Sequence, residues 1–194
     1  MTLRQKFLHL TYPLLMKFNK QKADRVLMNK QSQRPAYSFF DLSVQLNNDS
    51  YLNFNAIKGK KILLVNTASD CGYTTQYAEL QNLFEQCKEK LLIISFPSND
   101  FKEQEKGNNE EIAQFCQINF GVSFPLAKKS SVVKSDHQHP VFQWLTHKEQ
   151  NGWNDAQPSW NFSKYLINEE GVLTHIFATS VSPLSREVVN AILQ

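Results

Sequence analysis

A single α/β domain around a central sheet is the fold class predicted for this chain, on three observations. Two continuous apolar runs, Lys60–Ser69 and Leu91–Pro97, have the length and branched residues of strands buried on both faces. Between them Tyr77, Leu80, Phe84 and Cys87 recur at helical spacing and form one apolar stripe. Farther on, Asn168–Gly171 separates the apolar stretches Phe162–Ile167 and Val172–Phe177, which reads as a hairpin.

The remaining elements follow in order. Ser38–Val44 and Tyr51–Asn55 alternate polar and apolar residues around Asn47, Asn48 and Asp49, predicting an N-terminal hairpin. Gly59 precedes the first buried strand, and Thr74 or Thr75 supplies the cap of the helix after it. The strand Leu91–Pro97 ends at its proline, so strand, helix and strand make a parallel, right-handed βαβ unit. Asn108 or Asn109 caps a helix over 110–118 with apolar positions Ile112, Phe115 and Cys116, and Gly121 ends it. Val141, Phe142, Trp144 and Leu145 predict a turn or two of helix beyond Pro140. Ser182 and Pro183 predict the start of a last helix whose buried face holds Val188, Ala191 and Ile192. This is the element order of a thioredoxin-like fold: a central mixed sheet flanked by helices, with an N-terminal β-hairpin. One domain over 36–194 and a basic extension over 1–35 account for the 194 residues.

Charge is unevenly spread. Residues 1–34 carry eight Lys/Arg against the single acid Asp24, and the rest carries more acids than bases. The folded part is therefore mildly acidic, which argues against nucleic acid as a partner. Three cysteines without a C-x-x-C pair exclude a secreted disulfide scaffold, and a cytoplasmic location is expected. In the basic arm Leu3, Phe7, Leu10, Leu14 and Phe18 recur at helical spacing. Three readings stand for it: a loosely docked extension, an amphipathic helix on an anionic membrane surface, or a targeting segment of an exported form. The apolar stretch is too short to span a bilayer.

Chemistry concentrates at Cys71, in VNTASDCGYTTQY, where a buried strand breaks into a helix-starting turn. Free N–H groups and the partial positive charge of a helix start favour the thiolate, the nucleophilic form of cysteine. The adjacent Asp70 acts against it. A buried structural cysteine is the alternative reading of the same residue. Three further stretches weigh for reactivity: FPSNDFKEQEKGNNEEI (96–112), FCQINFGVSFP (115–125) and PSWNFSKYL (158–166). Their amide and indole groups donate hydrogen bonds without carrying charge, which suits a thiolate and a developing alkoxide.

In this order and spacing the four motifs, with WNFSKYLINEEG closing the last, resemble the glutathione peroxidase family over roughly residues 36–194. The resemblance implies a thioredoxin-like fold and reduction of hydrogen peroxide and organic or lipid hydroperoxides, with no cofactor and no metal. It implies that Cys71 is the peroxidatic residue and that Gln104, Trp160 and Asn161 complete the catalytic tetrad. It also implies that Cys116 is a resolving cysteine. Recycling by thioredoxin-like dithiols is then expected, with glutathione as direct reductant, or a relay that oxidises a partner protein, as the rivals. Bridging Cys71 and Cys116 requires Cα atoms within about 7 Å, so the Cys116 helix has to unwind, with Gly107 and Gly121 at its flanks.

The sequence also departs from the family pattern. Ser98 stands at the family's FPCNQF cysteine and Asp100 at its glutamine. Asp70 and Asp100 place two acids near the expected site, which disfavours an anionic co-substrate such as glutathione. The connection from Leu145 to Trp160 lacks the insertion of the family's tetramers, so a monomer or weak dimer is expected. Cys87 fits a buried stripe. His137 and His139 have no third ligand nearby in the sequence to make a metal site.

Overall fold

A computed structural model describes residues 26–194. The helical pattern expected over residues 3–18 lies outside them. A five-stranded sheet in the order β1-β7-β6-β4-β5 organises the domain. Its strands are β1 (Val26–Met28), β4 (Lys61–Thr67), β5 (Leu91–Pro97), β6 (Lys164–Ile167) and β7 (Leu173–Phe177). Only β4 and β5 pair in parallel, joined across helix α1 (Gln76–Cys87); β4–β6, β6–β7 and β1–β7 are antiparallel. The sheet is mixed and the fold is thioredoxin-like, as expected.

Strand β4 shows why the apolar runs were continuous. All seven of its residues are buried, and successive side chains enter opposite cores. Leu63 and Val65 face helices α1, α2 (Asn109–Phe120) and α5 (Arg186–Leu193). Ile62 and Leu64 face Phe39, Phe54, Phe142 and Trp144, the last two from helix α3 (Pro140–Thr146). A one-turn helix α4 (Lys148–Asn151) follows α3. Lys61, at the start of β4, donates through Nζ to the Ile192 carbonyl at 2.8 Å, and so caps the C-terminus of α5.

Three boundaries differ from expectation. The hairpin strands shrink to β2 (Ser43–Gln45) and β3 (Tyr51–Asn53), because Phe39–Asp41 forms a 3-10 turn. Phe39 and Phe40 are adjacent and both buried, which a strand facing one core cannot achieve. The last helix begins after Ser185, whose Oγ accepts from the Val188 N–H, while Ser182 accepts from Leu184 in the turn before it. Most informative is β1. It belongs to the segment expected as an extension over 1–35, yet it pairs with β7 through Val26–Phe177, Leu27–Ile176 and Met28–His175.

Candidate active site

Cys71 lies four residues past the end of β4, in a turn built by Thr74. The Thr74 hydroxyl accepts from the Cys71 N–H at 3.0 Å and donates back to the Cys71 and Ala68 carbonyls. Of the two threonines expected at the start of α1, Thr75 takes the cap position, without a side-chain bond, while Thr74 pins the cysteine. The turn leading into α1 directs Tyr73 N–H at the Cys71 sulfur, 3.5 Å away. The indole of Trp160 and the amide of Asn161 also favour its thiolate.

The sulfur is more enclosed than a helix-start cysteine suggests: Cys71 is 2 % exposed. Burial raises its pKa above the ordinary thiol value, and the Tyr73, Trp160 and Asn161 donors pull it back. Asp70 also raises it, as the weakest influence. Asp100, expected near the sulfur, is turned away. Its Oδ2 accepts from the Val132 and Val133 N–H groups at 2.6 and 3.2 Å and holds the 131–133 turn. Ser98 is fully buried and accepts from the Asp100 N–H.

Trp160 and Asn161 stand on a turn held by Asn66, the sixth residue of β4. Asn66 Nδ2 donates to the Trp160 carbonyl at 3.1 Å, and its Oδ1 accepts from the Ser163 N–H at 3.0 Å. Phe162, between them, is driven to φ +64°, a left-handed conformation that needs such support. Asn161 Nδ2 donates to Gln104 Oε1 at 2.9 Å, bringing the fourth expected residue into the same group. Gln104 arrives on a turn in which Lys102 and Glu103 both have φ +52°. The Gln104 carbonyl accepts from Asp70 N–H at 3.0 Å, and Ser69 Oγ donates to Glu105 Oε2 at 3.0 Å, so the two loops are fastened. Phe101 and the Lys102 ammonium lie against the Trp160 indole at 5.6 and 5.7 Å.

Sequence reading missed Asn66, which looked like one more residue of a buried strand. Its replacement tests the arrangement. Asn66→Ala strands the buried Ser163 N–H, and a loss of about 2–3 kcal/mol is expected in denaturant unfolding. A fall of at least tenfold in peroxide reactivity should accompany it, because the Trp160–Asn161 turn loses its anchor. Full activity in this variant would show that the turn holds itself.

Cys116 is fully buried in the third turn of α2. Burial pushes its pKa up to about 12, against a Tyr77 contact that lowers it. The helix ends are well formed. Asn108 and Glu111 make a reciprocal capping box, and Gly121 closes the C-terminus at φ +63°. A cleft of about 290 Å³ runs between the Cys71 and Gln104 loops and α2, lined by Ser69, Asp70, Glu105, Ile112 and Phe115 among others. His139 accepts from Val141 N–H and caps α3, and burial lowers its pKa to about 4. Cys87 is half-buried at the end of α1. No group of three or more metal-binding side chains comes together among the described residues.

The model of the family described as Glutathione peroxidase matches residues 39–146, which include Cys71, Gln104 and Cys116. The chain belongs to the glutathione peroxidase family. It is a peroxidase, and thiol redox chemistry is its function. Glutathione peroxidase homolog BsaA of Staphylococcus aureus (strain MW2) is 40% identical over 151 residues, which cover 77% of this chain and 94% of that protein. Glutathione peroxidase-like peroxiredoxin gpx1 of Schizosaccharomyces pombe is 41% identical over 147 residues, 75% of this chain and 91% of the relative. Among solved structures, Trgpx in apo form superposes with a TM-score of 0.61 at 32% identity, covering 82% of this peroxidase and 97% of that chain. A thioredoxin family thiol:disulfide interchange protein from Chlorobium tepidum TLS shares the fold at 13% identity and a TM-score of 0.60, over 84% of this chain and 97% of that one.

Proposed function

We propose that this peroxidase reduces hydrogen peroxide and organic or lipid hydroperoxides through Cys71, with Cys116 resolving and a thioredoxin-like dithiol as reductant. The carrying observation is the convergence on one sulfur of uncharged groups from two separate stretches, Tyr73 N–H and the Trp160–Asn161 pair, with Gln104 from a third stretch behind Asn161. Such donors stabilise negative charge on sulfur and then on the departing oxygen without presenting a competing charge. The Cys71 thiolate attacks one peroxide oxygen, the O–O bond breaks, and the leaving alkoxide or hydroxide takes a proton as alcohol or water. Cys71 is left as sulfenic acid. Cys116 then displaces water from it to form a disulfide, and an external dithiol reduces that disulfide by exchange.

The names of the Schizosaccharomyces pombe and Saccharomyces cerevisiae relatives, both glutathione peroxidase-like peroxiredoxins, support a dithiol cycle. The acids Asp70, Glu105 and Glu111 around the cleft, against the single Lys106, weigh against a net-anionic tripeptide as reductant. A second reading draws on the complete burial of Cys116: glutathione reduces the sulfenic acid directly and Cys116 stays idle.

Reductant choice decides between them. Sustained peroxide consumption is expected with thioredoxin and its reductase, and at least tenfold less with glutathione. Cys116→Ser should stop the thioredoxin-supported cycle while Cys71 is still oxidised once. Equal rates with both reductants, indifferent to Cys116→Ser, would exclude the resolving role.

A further inference from the structure

Glu105 is the only buried carboxyl group among the described residues, 1 % exposed, and the steps above make no use of it. An ionised carboxylate is costly to bury without a paired cation, and no cation stands within salt-bridge distance of this one among the described residues. Its position is fixed from several sides. Ser69 Oγ donates to its Oε2, and its own N–H donates to Asn99 Oδ1 at 2.9 Å. Asp70, on the loop after β4, opposes its ionisation, while Lys129 favours it from a distance. Tyr77 of α1 and Cys116 of α2 both lie within its field. Lys106 and Glu111 face the cleft that it lines. Ile112, one turn before Cys116 on the same buried face of α2, forms the opposite wall. The carboxyl therefore sits between the Cys71 loop and the helix that carries the second thiol.

We propose that Glu105 accepts the proton of the Cys116 thiol in the resolving step, which rests on the reading of Cys116 given above. As α2 opens, the carboxylate takes the S–H proton, and the thiolate attacks the sulfur of the Cys71 sulfenic acid. The S–S bond forms as the S–O bond breaks, and the departing hydroxide recovers the proton from Glu105 to leave as water. Peroxide has already supplied the oxidation, and the carboxylate is regenerated. Burial holds Glu105 at about 7 and Cys116 at about 12, so in the closed arrangement the proton stays on sulfur. Exposure of Cys116 to solvent returns it towards the ordinary thiol range of about 8.5, where a base near 7 is well matched to it. The transfer is thereby tied to helix opening, which keeps the second thiol inert until it is needed.

The test uses the full chain and one equivalent of hydrogen peroxide, following the Cys71–Cys116 disulfide by acid quench and mass spectrometry. In Glu105→Gln, which keeps an acceptor for Ser69, the disulfide is expected to form about 10²-fold more slowly, with Cys71 sulfenic acid accumulating. The wild-type rate should rise with pH and level off above about 7 as Glu105 ionises, whereas the variant, left with thiol ionisation alone, should keep climbing towards about 8.5. Ser69→Ala removes a hydrogen bond that favours the carboxylate and should move the rise to higher pH with Glu105 still present. An unchanged rate and pH profile in Glu105→Gln would overturn the role of Glu105 alone. A wild-type protein that forms no Cys71–Cys116 disulfide would remove the resolving role and this proposal with it.

Discussion

Replacing Cys71 by serine is expected to end peroxide turnover, with a loss of at least 10³-fold, while the melting temperature stays close to that of the parent. The hydroxyl of serine fits the same enclosed position but does not ionise near neutral pH and cannot form a sulfenic acid. The parent enzyme should also show a steep dependence on pH. Burial raises Cys71 above the ordinary thiol value, so its thiolate is the minor form at neutrality and grows about tenfold per pH unit. The second-order rate with hydrogen peroxide, measured by stopped flow, should therefore climb by about that factor per unit between pH 6 and 8. A flat profile would show that the Tyr73, Trp160 and Asn161 donors outweigh burial. Residual turnover in Cys71→Ser would move the chemistry to another residue.

The second large effect concerns stability. Lys164 is fully buried in β6, and its ammonium donates to the carbonyls of Ala178, Thr179 and Val181 at 3.3, 3.3 and 2.5 Å. Those carbonyls belong to the turn between β7 and α5, where the Ala178 carbonyl also accepts from Val181 N–H and the Thr179 carbonyl from Gln76 Nε2. Lys164→Met keeps the apolar stem, removes one bond each from the Ala178 and Thr179 carbonyls and leaves the Val181 carbonyl without its buried donor. A loss of about 2–3 kcal/mol is expected, a large fraction of the 5–15 kcal/mol typical of a domain. Equilibrium urea unfolding checks it through the midpoint at unchanged slope. A change below about 1 kcal/mol would mean that water replaces the ammonium at these carbonyls.

Legibility of the fold varied with how each element is buried. Strands β4 and β5 were readable because both faces are covered, which leaves an unbroken apolar run. Helix α2 was readable from its caps, since Asn108 and Gly121 mark its ends by local chemistry. Strand β1 was not, because three residues inside a basic stretch carry no period of their own and gain their conformation from β7. The same division runs through the site. Gln104 and Asn161 are separated by 57 positions, and only the family pattern joined them before the 2.9 Å contact was seen. Asn66 and Glu105 looked like ordinary strand and loop polars, since their roles depend on what folds against them. Asp100 misled for the converse reason: nearness in sequence to the expected site said nothing about which turn its carboxylate would hold.

Both rims of the sheet are blunted. On one side β1 lies along β7; on the other, Ser95 of β5 exchanges backbone bonds with Pro125 and Ala127. A rim strand of three residues and a rim partly covered by 125–127 offer little to template a stranger's backbone, which is how native sheets avoid growing into fibres. The protection on the first side hangs on three residues, so a shortened protein that starts at 36, where composition alone would cut, exposes the flank of β7 and invites precipitation. Cutting at 25 removes most of the basic arm and keeps that flank shielded.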